Sequence, residues 1–183
     1  MIEVLAVIFT LLCVWLTTKR HILSWPIGIL AVIFYAIVFW NAKLYSDFGL
    51  QFFFFGQSIV GWITWKNHLE DKSHTKIEAL TTWQKWYWFM IGLWAYGVLA
   101  FTMKNYTNAS VPWADSLVAV GSLIANWLLA KRKFESWYIW IGVDAICVGL
   151  FLYKGLFWSA GLYGILLFLA IKGLKDWKKC LAA

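Results

Sequence analysis

Four side chains with strong hydrogen-bonding chemistry stand inside otherwise apolar runs: Gln51, Gln57, Asn126 and Asp144. A charge or amide at such a position is costly in lipid, and it normally faces a bundle interior or cavity, as part of a ligand path or a helix–helix hydrogen bond. Asp115, Ala119, Ser122 and Asn126 fall at i, i+4, i+7 and i+11, which is one polar or small face of a helix. Asp47, Gln51 and Ser58 share a face in the same way. Ser122 reads as a close-packing residue, and Asp115, near the end of its run, as one that orders the helix start. Glutamine and asparagine carry donor and acceptor on one group, which suits a heterocycle or a sugar. A carboxyl at the depth of Asp144 is either neutral or matched by a cationic ligand or donor. Rings such as Tyr35, Trp40, Trp94, Trp140 and Tyr163 would add about 0.5–2 kcal/mol of cation–π attraction to a cationic ligand.

This chemistry is recognition. A membrane-embedded enzyme needs a nucleophile–base pair or a metal cluster at depth. The three histidines (His21, His68 and His74) fall in loop sequence without ligand spacing, and no carboxylates are paired. Cys13, Cys147 and Cys180 show no paired spacing either. The chain is therefore read as no enzyme, with no cofactor and no metal. A scaffold subunit is the other alternative, and the buried Asp144 and the asymmetric amides argue against it.

The elements that must hold these groups are transmembrane helices. The 183 residues are 62% hydrophobic and 14% charged, where soluble domains carry roughly 25% charged residues. A spanning helix takes about 20 mostly apolar residues. Seven such stretches are expected, at 2–18, 24–41, 47–65, 84–103, 113–130, 136–153 and 156–175. The runs are continuous rather than alternating, so helices are expected over a barrel. Pro26 and Pro112 sit at span starts, where a missing N–H costs nothing. The net charge of +7 comes from basic residues at span ends, so it is a topology signal and no indication of nucleic acid. Thirteen of the sixteen Lys and Arg fall on one side. The positive-inside rule then puts the N-terminus outside and the C-terminus in the cytoplasm. Trp25 and Trp137, at the basic ends of their spans, are expected to be interface anchors.

The sequence also repeats. At an ungapped offset of 112 residues, Trp15-Leu16 falls on Trp127-Leu128, Lys19-Arg20 on Lys131-Arg132, and Ser24-Trp25 on Ser136-Trp137. Gly49-Leu50 falls on Gly161-Leu162 and Trp65-Lys66 on Trp177-Lys178. A single membrane domain over 1–183 is expected, with repeat one at 1–66, a linker helix at 84–103 and repeat two at 113–178. Three spans per repeat with one reversing span between them give parallel repeats, a transporter layout with its site near midplane between the halves. This 3+1+3 count resembles the SWEET sugar-transporter arrangement. The polar positions break the repeat: Asp144 matches Val32, Asn126 matches Val14, Gln57 matches Leu169 and Gln51 matches Tyr163. A symmetric scaffold lined asymmetrically suits an asymmetric ligand.

Ser24-Trp25-Pro26-Ile27-Gly28, Lys43-Leu44-Tyr45, Gly49-Leu50-Gln51 and Gly61-Trp62-Ile63-Thr64-Trp65 resemble the N-terminal half of the PnuC-type vitamin transporters. Asp115-Ser116, Lys131-Arg132-Lys133, Glu135-Ser136-Trp137, Trp140 and Asp144 resemble the C-terminal half. The resemblance implies a 3+1+3 bundle in a bacterial inner membrane, assembled as a homotrimer. It implies uptake of nicotinamide riboside by facilitated diffusion, trapped by a cytoplasmic kinase that phosphorylates the substrate. Thiamine, riboflavin or deoxynucleosides are the substrates it implies otherwise. The family's binding positions would fall on Gln51, Gln57, Asn126, Trp127, Trp140, Asp144 and Tyr163. Exchanging Lys131, Arg132 and Lys133 together for Gln is expected to disturb topology more than ligand binding, read by accessibility labelling of the loop between the fifth and sixth spans.

Overall fold

Hydrocarbon leaves a chain's backbone no partner but itself, so long apolar runs become helices. The computed structural model describes residues 2–70, 77–106 and 111–181; His74, Lys72 and Lys76 lie outside them. It contains seven α-helices: α1 (Ile2–Thr18), α2 (Ser24–Asn41), α3 (Tyr45–Glu70), α4 (Thr82–Tyr106), α5 (Pro112–Ala130), α6 (Ser136–Tyr153) and α7 (Phe157–Leu181). Among the described residues the β-structure is one isolated bridge, Glu78 to Lys133. Five helices, α2 and α4 to α7, are long and apolar enough to cross a membrane; α1, with 17 residues, and the more polar α3 are not among them. The protein is thus an all-α, multi-pass membrane protein.

Several helices outrun the expected spans. α3 starts two residues earlier than expected and runs to Glu70, and α7 runs on to Leu181. Hydropathy marks where hydrocarbon ends, whereas the backbone keeps its helical hydrogen bonds into the polar zone. Lys178 and Lys179 in the last turn of α7 suit the negative end of its dipole. His68, expected in a loop, lies within the last turns of α3 for the same reason.

Neighbouring helices in sequence pack on each other through α1–α2–α3 and through α5–α6–α7. The two groups meet twice, α3 against α5 and α7 against α1, while α4 packs on α5 alone among the described helices. Local geometry recurs at the 112-residue offset. After α1, the N–H groups of Arg20 and His21 donate to the carbonyls of Thr17 and Leu16 at 2.9 and 3.0 Å; after α5, those of Arg132 and Lys133 donate to Leu129 and Leu128, both at 2.9 Å. The turns after α2 and α6 repeat the same pattern at Lys43 and Gly155. This helix ending places one residue in the left-handed region: φ is 58° at Arg20, 58° at Lys43, 55° at Arg132 and 72° at Gly155. A non-glycine residue there costs roughly 1–2 kcal/mol. A cation at that position faces the helix's negative end, which offsets part of the cost.

The densest packing is at the basic end. Trp25, Trp65, Trp137 and Trp177 are all buried, so Trp25 and Trp137 are core residues and not lipid-facing anchors. The reason is glycine: the Trp25 ring lies flush on Gly61 of α3, and the Trp137 ring on Gly173 of α7. Trp25 meets Trp65 edge-on with ring centroids 5.4 Å apart, and Trp137 meets Trp177 in the same way at 5.6 Å. Trp65 and Trp177 are 6.0 Å apart and join the two groups of helices. The Trp177 indole also donates to the Thr17 carbonyl of α1 at 3.3 Å.

A methyl group on Gly61 would run into the Trp25 ring, and one on Gly173 would stand 2.6 Å from Trp137. Gly61→Ala and Gly173→Ala are each expected to destabilise the fold by about 1–3 kcal/mol. Gly49→Ala, with open space around it, is expected to cause no loss; thermal unfolding of the three purified variants in one detergent checks this.

Candidate functional site

α3 and α5 cross where the two groups of helices meet, and each brings an amide to the crossing. Gln57 Nε2 donates to the Leu123 carbonyl at 3.0 Å, and Asn126 Nδ2 donates to Gln57 Oε1 at 2.9 Å. The expected inward turn of Gln57 and Asn126 is therefore found, and the two amides hold each other. Each retains capacity: Gln57 has a second N–H, and Asn126 a second N–H and its carbonyl oxygen. Gln51, one and a half turns earlier on α3, is buried with its amide turned to its own helix, donating to the Asp47 carbonyl at 3.4 Å.

A second polar station lies on α6 and α7. Asp144 is 3% exposed, and no described residue gives it a hydrogen bond or an ion pair. Cys147 and Tyr163 lie within its electrostatic reach, the Tyr163 hydroxyl approaches the Cys147 thiol, and the Tyr163 ring stacks on Phe151 at 5.2 Å. α6 can come close to α5 because Gly121 has no side chain: a Cβ there would lie 2.8 Å from Val143, the neighbour of Asp144. Asn126 is five residues beyond Gly121, about 7.5 Å of helix rise. The two stations are thus offset along the bundle.

Trp127 follows Asn126 directly on α5, and Trp140 stands one turn before Asp144 on α6. Trp140 is partly buried and packs against the tryptophan cluster at the basic end. Trp127 lies at the basic end of α5 with the Lys131 ammonium 5.3 Å over its ring. Among the other aromatic candidates, Tyr35 stacks on Phe39 at 5.6 Å, and Tyr163 lies within its electrostatic reach. Trp94 is 72% exposed and Trp40 57%; α4, which carries Trp94, touches one helix and leaves most of its surface to the surroundings. At the end opposite the tryptophan cluster, Asp115 pairs with Lys154 at 3.6 Å, with Asp47 in electrostatic reach of both. Asp115 therefore orders the start of α5 by an ion pair to the α6–α7 turn, with no side-chain cap.

The basic end holds an arrangement that the sequence reading missed. Residues 77–81, leading into α4, dock on the α5–α6 turn. Glu78 N–H donates to the Arg132 carbonyl at 3.2 Å, and Phe134 N–H donates to the Glu78 carbonyl at 3.1 Å. Leu80 N–H donates to both carboxylate oxygens of Glu135, at 2.9 and 3.0 Å, and Lys85 pairs with Glu135 at 3.5 Å. Ile77 and Leu80 are buried beneath this strap. The signal in the sequence was this apolar pair three residues apart in a charged segment, but nothing in the sequence says where it docks. Two cavities lie at this end. One is bordered by Arg20, Trp65, Ile77, Arg132 and Trp177, and the other lies under the strap beside Trp88 and Trp127; neither reaches Asp144, Gln57 or Asn126.

Buried amides and a buried carboxyl on a multi-pass helical bundle suit a path for a polar solute. The comparisons agree. The profile of the family described as nicotinamide mononucleotide transporter matches residues 1–179, and the chain belongs to this family, that of the PnuC-type transporters. It is a membrane transporter and not an enzyme. It is 26% identical over 201 residues to the nicotinamide riboside transporter PnuC of Escherichia coli, covering 96% of this chain and 84% of that one. It is 27% identical over 163 residues to the riboflavin/roseoflavin transporter RibM of Streptomyces davaonensis, covering 87% and 76%. The crystal structure of the vitamin B3 transporter PnuC superposes with a TM-score of 0.80 at 23% identity, covering 99% of this chain and 82% of that one, and shares its fold.

The Gln57–Asn126 bond is open to a direct measurement. In a double-mutant cycle with Gln57→Leu and Asn126→Leu, unfolding in detergent is expected to give a coupling of about 0.6 kcal/mol, up to about 1.7, the range for interhelical hydrogen bonds in membranes. Additive single-mutant losses would mean that the bond contributes nothing to stability.

Proposed function

We propose that the chain takes up a water-soluble vitamin, nicotinamide riboside first, by facilitated diffusion with phosphorylation by a cytoplasmic kinase as the trap. The observation that carries the reading is Asp144, a buried carboxyl without a partner among the described residues, in a chain matched along residues 1–179 by the family's profile. Nicotinamide riboside is a flat-ringed cation, and its ring would meet Asp144 with Tyr163 and Cys147 close by. Its hydroxyls would take over the free donors and acceptors of Gln57 and Asn126, with Gln51 turning from its own backbone to help. Trp127 and Trp140, next to Asn126 and one turn from Asp144, would border the bound ring on the side of the basic end.

The reading includes the 3+1+3 arrangement, with parallel repeats at 1–66 and 113–178 around the α4 linker helix at 84–103. What supports it is the recurrence of turns, left-handed residues and tryptophan-on-glycine contacts at the 112-residue offset. It also includes a homotrimer in a bacterial inner membrane, with the exposed aromatic face of α4 as the surface left for neighbours. The N-terminus would be outside and the tryptophan cluster at the cytoplasmic side.

Thiamine, also a flat-ringed cation, is the second reading. Riboflavin, a neutral ring system, is favoured by the likeness to the riboflavin/roseoflavin transporter. Asp144→Asn separates them. For a cationic substrate, losing a charged contact worth about 1.5–3 kcal/mol weakens binding by tenfold or more, whereas riboflavin affinity is expected to stay unchanged. Binding of labelled nicotinamide riboside, thiamine and riboflavin to the purified protein and its folded Asn variant decides the matter. Unaltered affinity for every cationic vitamin would return Asp144 to a structural role. Uptake into vesicles that proceeds without an imposed ion gradient is the companion expectation, and strict dependence on a gradient would overturn facilitated diffusion.

A further inference from the structure

The strap at residues 77–81 carries one side chain to the Trp65–Trp177 joint between the two groups of helices. Ile77 is buried in the tryptophan cluster at the basic end. With Arg20, Trp65, Arg132 and Trp177 it borders a space too narrow for a water molecule. Those four residues are two pairs at the 112-residue offset, Arg20 with Arg132 and Trp65 with Trp177. Ile77 has no match at that offset, because it lies between the two repeats. An unmatched side chain set among two matched pairs stands where a passage between the halves would open. The strap is anchored on the α5–α6 turn. Two backbone bonds tie Glu78 to Arg132 and Phe134, at 3.2 and 3.1 Å, and the Glu78 carboxylate pairs with Lys133 at 2.6 Å. The buried Glu135 carboxylate accepts from Leu80 N–H on both oxygens, at 2.9 and 3.0 Å. Glu135 matches Leu23 at the offset, so the equivalent turn after α1 has no carboxylate there to hold a strap.

These anchors are of a kind that releases. The backbone part is a single isolated bridge, and so short a pairing is marginal in water. The ion pairs Lys133–Glu78 and Lys85–Glu135 each have one partner more than half exposed, so solvent and salt weaken them. Ile77 borders residues of both groups of helices, so a shift of one group would leave it lying over the other, and the strap itself must lift. We propose that the strap is the gate of the basic end. Ile77 stops the passage between the two groups, and Glu135 latches it shut through the Leu80 N–H. The gate rests on the transport reading given above and adds to it the element whose release lets the substrate out at this end.

A disulfide in place of the Glu78–Lys133 ion pair tests the gate. The two residues are bridge partners with their side chains in contact. Paired strands stand about 4.7–4.9 Å apart, within the roughly 4.4–6.8 Å between Cα atoms that a disulfide spans. For the full chain carrying Glu78→Cys and Lys133→Cys in vesicles, oxidation is expected to stop vitamin uptake and a reductant to restore it. One polypeptide serves both measurements, so a folding defect does not imitate the result. Glu78→Cys alone is expected to give equal uptake in both conditions, which sets aside oxidation of Cys13, Cys147 or Cys180. Equal uptake by the cross-linked and the reduced double variant would overturn the gate and leave transport standing. If the unmodified chain takes up none of nicotinamide riboside, thiamine and riboflavin, the transport reading fails and the gate falls with it. A second measurement needs no vitamin: labelling of Ile77→Cys by an impermeant maleimide applied at the basic end, read on its own peptide by mass spectrometry. Adding Glu135→Gln is expected to speed that labelling several-fold, and an unchanged rate would overturn Glu135 as the latch.

Discussion

In lipid, burying an apolar side chain against another helix gains little over leaving it among acyl tails, so close contact and matched polar groups must hold the bundle together. The indole of Trp25 on the bare backbone of Gly61, repeated by Trp137 on Gly173, supplies the first of these. Each contact fixes the second helix of a group of three against the third. The edge-on Trp25–Trp65 and Trp137–Trp177 pairs extend the contact inward, and the approach of Trp65 to Trp177 ties the two groups at the basic end. With that end fixed, α3 and α5 cross at a spacing that lets Gln57 reach both Leu123 and Asn126. The polar site depends on a tryptophan joint one end of the bundle away.

Much of the fold was legible because three signals agreed. Apolar runs gave the helix count, prolines gave the starts of α2 and α5, and the 112-residue repeat gave their equivalence. Boundaries failed where the chain continues helically past the hydrocarbon, as at His68 and after Lys175. Trp25 and Trp137 were misread because tryptophan at a basic helix end usually marks an interface. Their true partners, Gly61 and Gly173, are tens of residues away, and a glycine announces nothing about what rests on it. Trp94 shows what an aromatic run leaves out: it gives no face, and α4 has a single neighbour among the described helices.

The site was legible as a set of residues but not as an arrangement. That Gln57, Asn126 and Asp144 must turn away from lipid follows from cost alone. That two of them satisfy each other while the third has no partner among the described residues follows from the crossing of α3 on α5 and from the register of α6. Trp127 entered the candidate set by resemblance and Trp140 also as a ring at depth, and both have contacts at the basic end, with the Lys131 ammonium and with the tryptophan cluster. Arg132 shows the limit most plainly: as one of thirteen topology-setting cations it looked like a surface charge, and packing made it a buried one.

The two places where the groups of helices meet lie at matching positions of the 112-residue sequence offset and differ in chemistry. Where α3 meets α5, Gln57 and Asn126 are bonded side chain to side chain. Where α7 meets α1, the equivalent positions are Leu169 and Val14, which have no donor or acceptor on their side chains. A hydrogen-bonded seam can be opened by any solute that replaces its bonds, because the helices lose one partner and gain another. The α1–α7 seam has its own hydrogen bond, from the Trp177 indole to a backbone carbonyl. The amides thus set the α3–α5 crossing, bonded side chain to side chain, apart from the α1–α7 crossing, where the acceptor is the Thr17 backbone.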